Sequence, residues 1–488
     1  DDLEVDTVWQ VTNPDGQVSL PFSPVPFVTT VVADSQVFGT IGDGITHNNT
    51  SVALDPTDAN NVAIVAGNDP NTFSTFAATD VLFVRTIDGG ATFQPSVLLG
   101  TAEDGLPAGA LRNFAMCAYD HFGNLWVSYL VDDFAGGTST IVLLASSDQG
   151  ATFPNVFTLA TTAAAGVGSF DRPALAVGVD GSGSGDEVAY VTWTDLQTPL
   201  VVQVHGIGVN ASGLGAFGAP SADTVFSDVA ADAVDKFMAV GSVGPQGQLY
   251  VSWTVPSPLV GGAASIQFDR DIDGLFGATF ATSTDSTVGT SNVNFNLLIP
   301  ATGDLGAVLA PNHVVLATGA NEGRLVIAYS DATPFDGVNP QSSYAVTRYS
   351  DDFGYTWSAP ALVTHQVDSN DQFNPTLAAD EVTGTAYVAW YDTTEDSTNT
   401  LVRRFSAASD DGASWGNAKN LHLVRLGVVV GSITSSLTST GDGEDTDYGY
   451  YDGLVARDGC IWTAWGLGGL GGRVVPVVDL FQQTPDSP

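Results

Sequence analysis

Short segments in which apolar and polar residues alternate, each ending on an aromatic ring, recur along this chain. They are LWVSY to Tyr129, AYVTW to Trp193, LYVSW to Trp253, LVIAY to Tyr329, AYVAW to Trp390 and CIWTAW to Trp465. Period-two alternation rich in β-branched and aromatic residues is the pattern of a half-buried strand. Ahead of each lies another apolar strand that closes on a small residue and a turn. Seven such strands occur (SVALDP, MCAYDH, ALAVGV, FMAVGS, VVLATG, TLAADE, GLVARD), with Ala53, Ala118, Ala176, Ala239, Ala317, Ala378 and Val455 as the small residues. Their mean spacing of roughly 67 residues defines seven units.

A third and a fourth strand flank a hairpin of the form S-x-D-x-G-x-T-aromatic, as in VLFVRT before it and ATFQPSVLL after it. Four copies center on Asp88, Asp148, Asp352 and Asp410, with glycines at 90, 150, 354 and 412. Decayed copies are expected around 210–217 and 273–280. In each copy the Asp can accept hydrogen bonds from turn amides, the Gly can take positive φ, and the aromatic can pack between sheets. The four aspartates are therefore read as structural.

Four strands per unit with almost no helical periodicity predict an all-β fold. The expected form is a seven-bladed β-propeller of four-stranded antiparallel blades, with six blades as the alternative. It forms a single domain over 1–488, with blades near 47–100, 112–160, 171–222, 235–285, 311–364, 372–421 and 447–481. The seventh unit offers three strands, so Thr7–Thr12 is expected to join it and leave no open edge.

Composition adds turns and charge. The chain has 54 Gly, 24 Pro and a formal charge of −41, from 54 acidic and 13 basic residues. Such acidity repels polyanions, which argues against nucleic acid as a partner. No run approaches the ~20 apolar residues that span a bilayer, so membrane insertion is not expected. A start at Asp1 without a leader points to a secreted or cell-surface protein; Asn49 and Asn210 match the glycosylation sequon, a pattern common by chance. Cys117 and Cys460 read as two buried thiols, or as one bridge.

The hairpins and their spacing resemble the Asp-box (BNR-repeat) propellers of the sialidase-like group over almost the whole chain. That resemblance implies a site at the axial mouth, built from an arginine triad, a Tyr–Glu pair and an acidic Asp. Phe170-Asp171-Arg172-Pro173 resembles the arginine-bearing segment of that group, with an Asp inserted after the Phe. None of the seven glutamates stands beside a tyrosine as an activating partner. The seven units also depart from the six blades typical of sialidases. Both departures argue against sialidase activity itself.

Residues just before the inner strands should ring one mouth of the channel. They include Arg112, Asp171, Arg172, Asp235, Lys236, His313, Asp371, Asp447 and Tyr448. Cations are scarce in this chain, so their placement here marks candidate chemistry. Carboxylates could serve a glycosidase, and Tyr, His or Lys a lyase. Other third-strand arginines (Arg85, Arg348, Arg403, Arg404) are expected on the outer rim. Asp269, Asp271 and Asp273 alternate as calcium ligands do, although a carboxylate is missing later in the loop. The long inserts 286–310 and 422–446 could overhang the mouth. The resulting expectation is a glycan-directed protein, hydrolase or lyase. The rival is a non-catalytic surface or assembly protein, self-associating through its rim.

Overall fold

The computed structural model describes residues 47–68, 80–90, 92–163, 166–182, 185–197, 201–209, 215–221, 224–225, 236–258, 263–274, 285–293, 296–297, 299–302, 307–332, 342–363, 370–394, 397–399, 401–415, 424–432, 451–467 and 475–482. It is an all-β propeller of antiparallel sheets. Among the described residues six sheets carry four or five strands, a seventh carries three, and Asn296–Leu297 pairs with Ala307–Val308 as a short two-stranded sheet. The only described α-helix is the single turn Thr101–Asp104. The segment 7–12, expected to complete the last blade, lies outside the described residues.

The innermost strands of blades one to seven are His47–Leu54, Leu111–Tyr119, Phe170–Val179, Phe237–Val243, Asn312–Val315, Gln372–Ala379 and Gly453–Arg457. Each packs against the next around the ring, and Gly453–Arg457 returns to His47–Leu54. Closure is tight. Thr50 Oγ1 donates to the Ala464 carbonyl at 2.8 Å, and a Cβ on Gly453 would stand 2.5 Å from the Val52 amide nitrogen.

The aromatics that end the alternating strands fill the gaps between sheets. Trp193, Trp253, Trp390, Trp465, Tyr129 and Tyr329 are all fully buried. Burial of such rings is the largest apolar contribution per residue.

The hairpins work as their residues suggest. Thr152 donates its amide to Asp148 Oδ1 at 2.9 Å and its hydroxyl to Oδ2 at 2.7 Å. Ser146 Oγ accepts from the Gly150 amide at 2.8 Å. The same bonds recur around Asp88 and Asp352, and those from Thr92 hold the Asp88 carboxyl below its usual range. Gly150 has φ +79, and a Cβ there would lie 2.5 Å from the Phe83 ring of the preceding blade. The hairpin is thus a dock onto its neighbor.

Blade six departs from the expected register. Asp411, not Asp410, receives the amides of Ala413 and Ser414 at 2.9 and 2.8 Å and the Ser409 hydroxyl at 3.0 Å. This hairpin is one residue shorter between its Asp and Gly412. Blade four departs too. Its inner strand ends at Val243, paired with Leu249, which puts Ser242 rather than Ala239 level with Ala53.

Candidate functional site at the propeller axis

Five inner strands share an unusual backbone feature. Asn49, Phe114, Arg172, Met238 and Asn374 have φ between 44° and 58°, a region that residues with a Cβ rarely occupy. All five lie at β-bulges. In blades two, three, four and six, two inner-strand residues face one aromatic of the second strand. Phe114 and Ala115 face Tyr129, Arg172 and Pro173 face Trp193, Met238 and Ala239 face Trp253, and Asn374 and Pro375 face Trp390. Each left-handed residue costs on the order of 1 kcal/mol, and such strain gathers at functional sites. Bulges also re-aim side chains.

At this level a cavity of about 40 Å³ lies on the axis, with Arg172, Met238, Asn374, Tyr451 and Asp452 among its walls. That is room for about three waters, well below the ~300 Å³ of a small-molecule pocket. Arg172 Nη1 donates to Asp171 Oδ2 at 2.7 Å, and its guanidinium lies 5.4 Å from the Phe114 ring center. Burial pushes the Asp171 carboxyl up, against the pull of Arg172. Burial also drives the Tyr451 phenol far up, and its oxygen has no hydrogen-bond partner among the described residues.

On the other side, Asp452 Oδ2 is 2.9 Å from Arg404 Nη1, with both side chains almost fully buried. Asp452 Oδ1 accepts from the Tyr391 hydroxyl at 3.0 Å. The Arg404 guanidinium lies 4.5 Å from the Tyr391 ring center. Arg404 is therefore inside the propeller, not on the rim. Strand parity explains this, because Arg404 pairs with Tyr391 and shares its face. Alternation around Tyr391 could have revealed it. Arg85 matches the rim expectation, capping the carbonyls of Asp148 and Gln149 on the next blade's hairpin.

The remaining sequence candidates scatter. Arg112 is fully buried and saturated, with Asp104 at 2.7 and 3.0 Å, Asp80 at 3.1 Å and the Ala110 carbonyl at 3.1 Å. It fastens the joint between blades one and two and has no capacity left for a ligand. His313 is buried between blades four and five, where Nδ1 meets Ser252 Oγ at 2.9 Å. Desolvation lowers its pKa to about 4, so it is neutral. Asp371 accepts from the Ser343 amide at 2.8 Å and from Asn399 Nδ2, a turn-holding role. Lys236 is buried and engaged. Asp235, Asp447 and Tyr448 lie outside the described residues.

Asp269 and Asp271 lie in the strand Ala264–Asp271 rather than in a turn. No set of three His, Cys, Asp or Glu among the described residues could hold a metal. Asp271 is instead pushed up to about 7 by burial and by Asp273 and Asp269. Cys117 is a free buried thiol.

The insert after blade four does reach the mouth. Ile299, Ala301 and Ala307 share a buried cluster with Phe373, Tyr391 and Trp465 of blades six and seven. The Val308 amide donates to Asn374 Oδ1 at 3.1 Å.

At the other end of the inner strands, His121 of blade two spans the ring. Its Nδ1 meets Glu187 of blade three at 2.6 Å, and its Nε2 meets Glu381 of blade six at 3.0 Å. Arg457 of blade seven pairs with Glu381 as well. Sequence reasoning passed over all four residues, because nothing local marks a contact between turns 260 residues apart.

No protein-family model matches the chain, and no curated protein matches it. Among solved structures it is similar to propeller glycosidases. A Hadza microbial sialidase is 15% identical with a TM-score of 0.41, over 72% of this chain and 65% of that one. The chain thus spans less than two thirds of that sialidase. An α-L-arabinofuranosidase of Fusarium graminearum bound to an iminosugar inhibitor is 10% identical with a TM-score of 0.46, over 90% and 93%. An α-L-arabinanase of Penicillium chrysogenum bound to arabinobiose is 11% identical with a TM-score of 0.44, over 90% and 97%. Likeness this distant carries no argument about chemistry.

Proposed function

We propose that the protein is glycan-directed and acts on a glycosidic bond held at the mouth of the axial cavity. The observation that carries this reading is the convergence of strained bulges with two carboxylates in unlike surroundings. Asp171 is raised by burial against the pull of its ion pair with Arg172 and is suited to accept a proton from an attacking water. Asp452, set between Arg404 and Tyr391, is placed to support a developing positive charge. Two carboxylates in such unlike settings are the working parts of glycosidases. Arg172 and Tyr451 would orient sugar hydroxyls. A sugar ring exceeds the present cavity, so it would sit at the mouth, near Ile299 and Ala301.

The test is turnover and binding against a panel of neutral and acidic glycans, repeated with Asp171→Asn and Asp452→Asn. Turnover that falls at least 100-fold in folded variants supports the assignment. A folded wild-type chain that neither binds nor cleaves any panel member defeats it.

A second reading, a rigid interaction module, is favored by one surface feature. Ile272, Phe353 and Tyr355, on the hairpins of blades four and five, are 47%, 41% and 58% exposed. Self-association that disappears in Tyr355→Ser, with no glycan activity, would favor that reading.

A further inference from the structure

Charge pairing around the axis bears on which glycans could enter, provided the glycan reading above holds. Each arginine near the cavity already has its own carboxylate. Arg172 holds Asp171 at 2.7 Å, and Arg404 holds Asp452 at 2.9 Å. Arg112, the third arginine of this end, is spent on Asp104 and Asp80. Among the described arginines, these pairs leave no surplus positive charge for a ligand anion.

What the walls offer instead is neutral hydrogen bonding. The Tyr451 phenol is buried and uncharged, with an oxygen that has no partner among the described residues. Asn374 contributes an amide, and Met238 an apolar contact. A ligand carboxylate would lie near Asp171 and Asp452 in a setting of reduced dielectric, where repulsion is strong. It would also approach against a chain carrying −41. Sugar hydroxyls face neither penalty and can pair with the phenol and amide.

We infer that the axial site takes neutral glycans, built of uncharged pentose or hexose units, and rejects sugars that carry a carboxylate. The arginines serve to hold the two aspartates in place rather than to clamp a substrate acid.

The experiment measures binding and cleavage by the full chain of sugars matched except for one group, galactose oligomers against galacturonate oligomers, within a wider neutral and acidic panel. Neutral members should exceed their acidic counterparts at least tenfold. Equal or better use of the acidic members overturns this inference and leaves the glycan reading standing, whereas silence toward both removes the glycan reading and this inference with it.

A second measurement addresses the pairing itself. Asp171→Asn removes the partner of Arg172, and Asp452→Asn that of Arg404. Affinity for monomeric galacturonate, read by calorimetry, should rise at least tenfold over wild type in either variant that retains the native melting transition. Having two positions guards against misfolding at one. No gain in the folded variants means that pairing does not set the exclusion, and the inference falls.

Discussion

Raising the pH should dismantle the contact that crosses the ring at His121, and the sign of the effect follows from its partners. The imidazole bridges Glu187 and Glu381, and the hydrogen bonds it donates to these carboxylates lift its pKa from 6.5 to about 10. A raised value means that the folded state binds the proton more tightly than the unfolded state. The contribution is therefore complete below about 6.5 and is lost as pH climbs through about 10. Glu381 behaves oppositely. His121 lowers its pKa from 4.5, so its share is present above 4.5 and fades as pH falls through its folded value. The plateau lies between those limits.

The magnitude is modest, because the His121 side chain is 50% exposed and that of Glu381 35%. Solvent-discounted pairs of this kind contribute ~0.5–1 kcal/mol each, or roughly 1–2 kcal/mol for the bridge. In a chain of 488 residues this moves the melting temperature by only about 1–2 °C. The sharper assay is magnetic resonance of the imidazole carbons of His121, assigned by comparison with His121→Gln. The ring should remain protonated at pH 8, and the wild-type advantage in melting temperature should shrink between pH 8 and pH 10.5. A midpoint near 6.5, or an advantage that grows with pH, would refute the reasoning.

Three further outcomes follow from the packing. Asp411→Ala should lower stability by ~1–2 kcal/mol through its lost turn bonds, whereas Asp410→Ala should change it by less than ~0.5 kcal/mol; urea denaturation separates the two. Gly354→Ala should cost at least ~2 kcal/mol, since φ is +80 and the new Cβ would meet the buried Phe268 ring at 2.3 Å, and calorimetric melting reads that loss. Cys117, buried and with its thiol pushed up to about 12, should resist alkylation in the native protein and react at the rate of unfolding, as mass spectrometry would show.

Much of the architecture was legible because it repeats. Alternation named the second strands, and their terminal aromatics proved to be the inter-blade packing. The hairpin residues Asp88, Asp148 and Asp352 make the bonds their spacing implied, since those bonds are local. Asp411 escaped because a one-residue shortening leaves the letters of the motif almost intact while moving its register. The site was harder to read. Arg112 and Arg172 both stand near the start of an inner strand and look alike in sequence. Yet the Asp104 carboxylate, eight residues back on a one-turn helix, captures Arg112, while Arg172 is turned by a bulge toward the axis. Positive φ at Phe114, Arg172 and Met238 carries no glycine to announce it, because the surrounding ring imposes it. The pairing of Arg404 with Asp452 joins adjacent blades and depends on strand parity that two successive arginines obscure.

The bulges also bear on how such a molecule can change over time. At each one the chain inserts a residue that lies outside the alternation governing core and surface. Substitution at Arg172, Met238 or Asn374 consequently alters the axial lining while Trp193, Trp253 and Trp390 go on holding the blades together. The propeller keeps the rings that join its blades apart from the small set of bulge residues that shape the axis, so the two answer to different constraints.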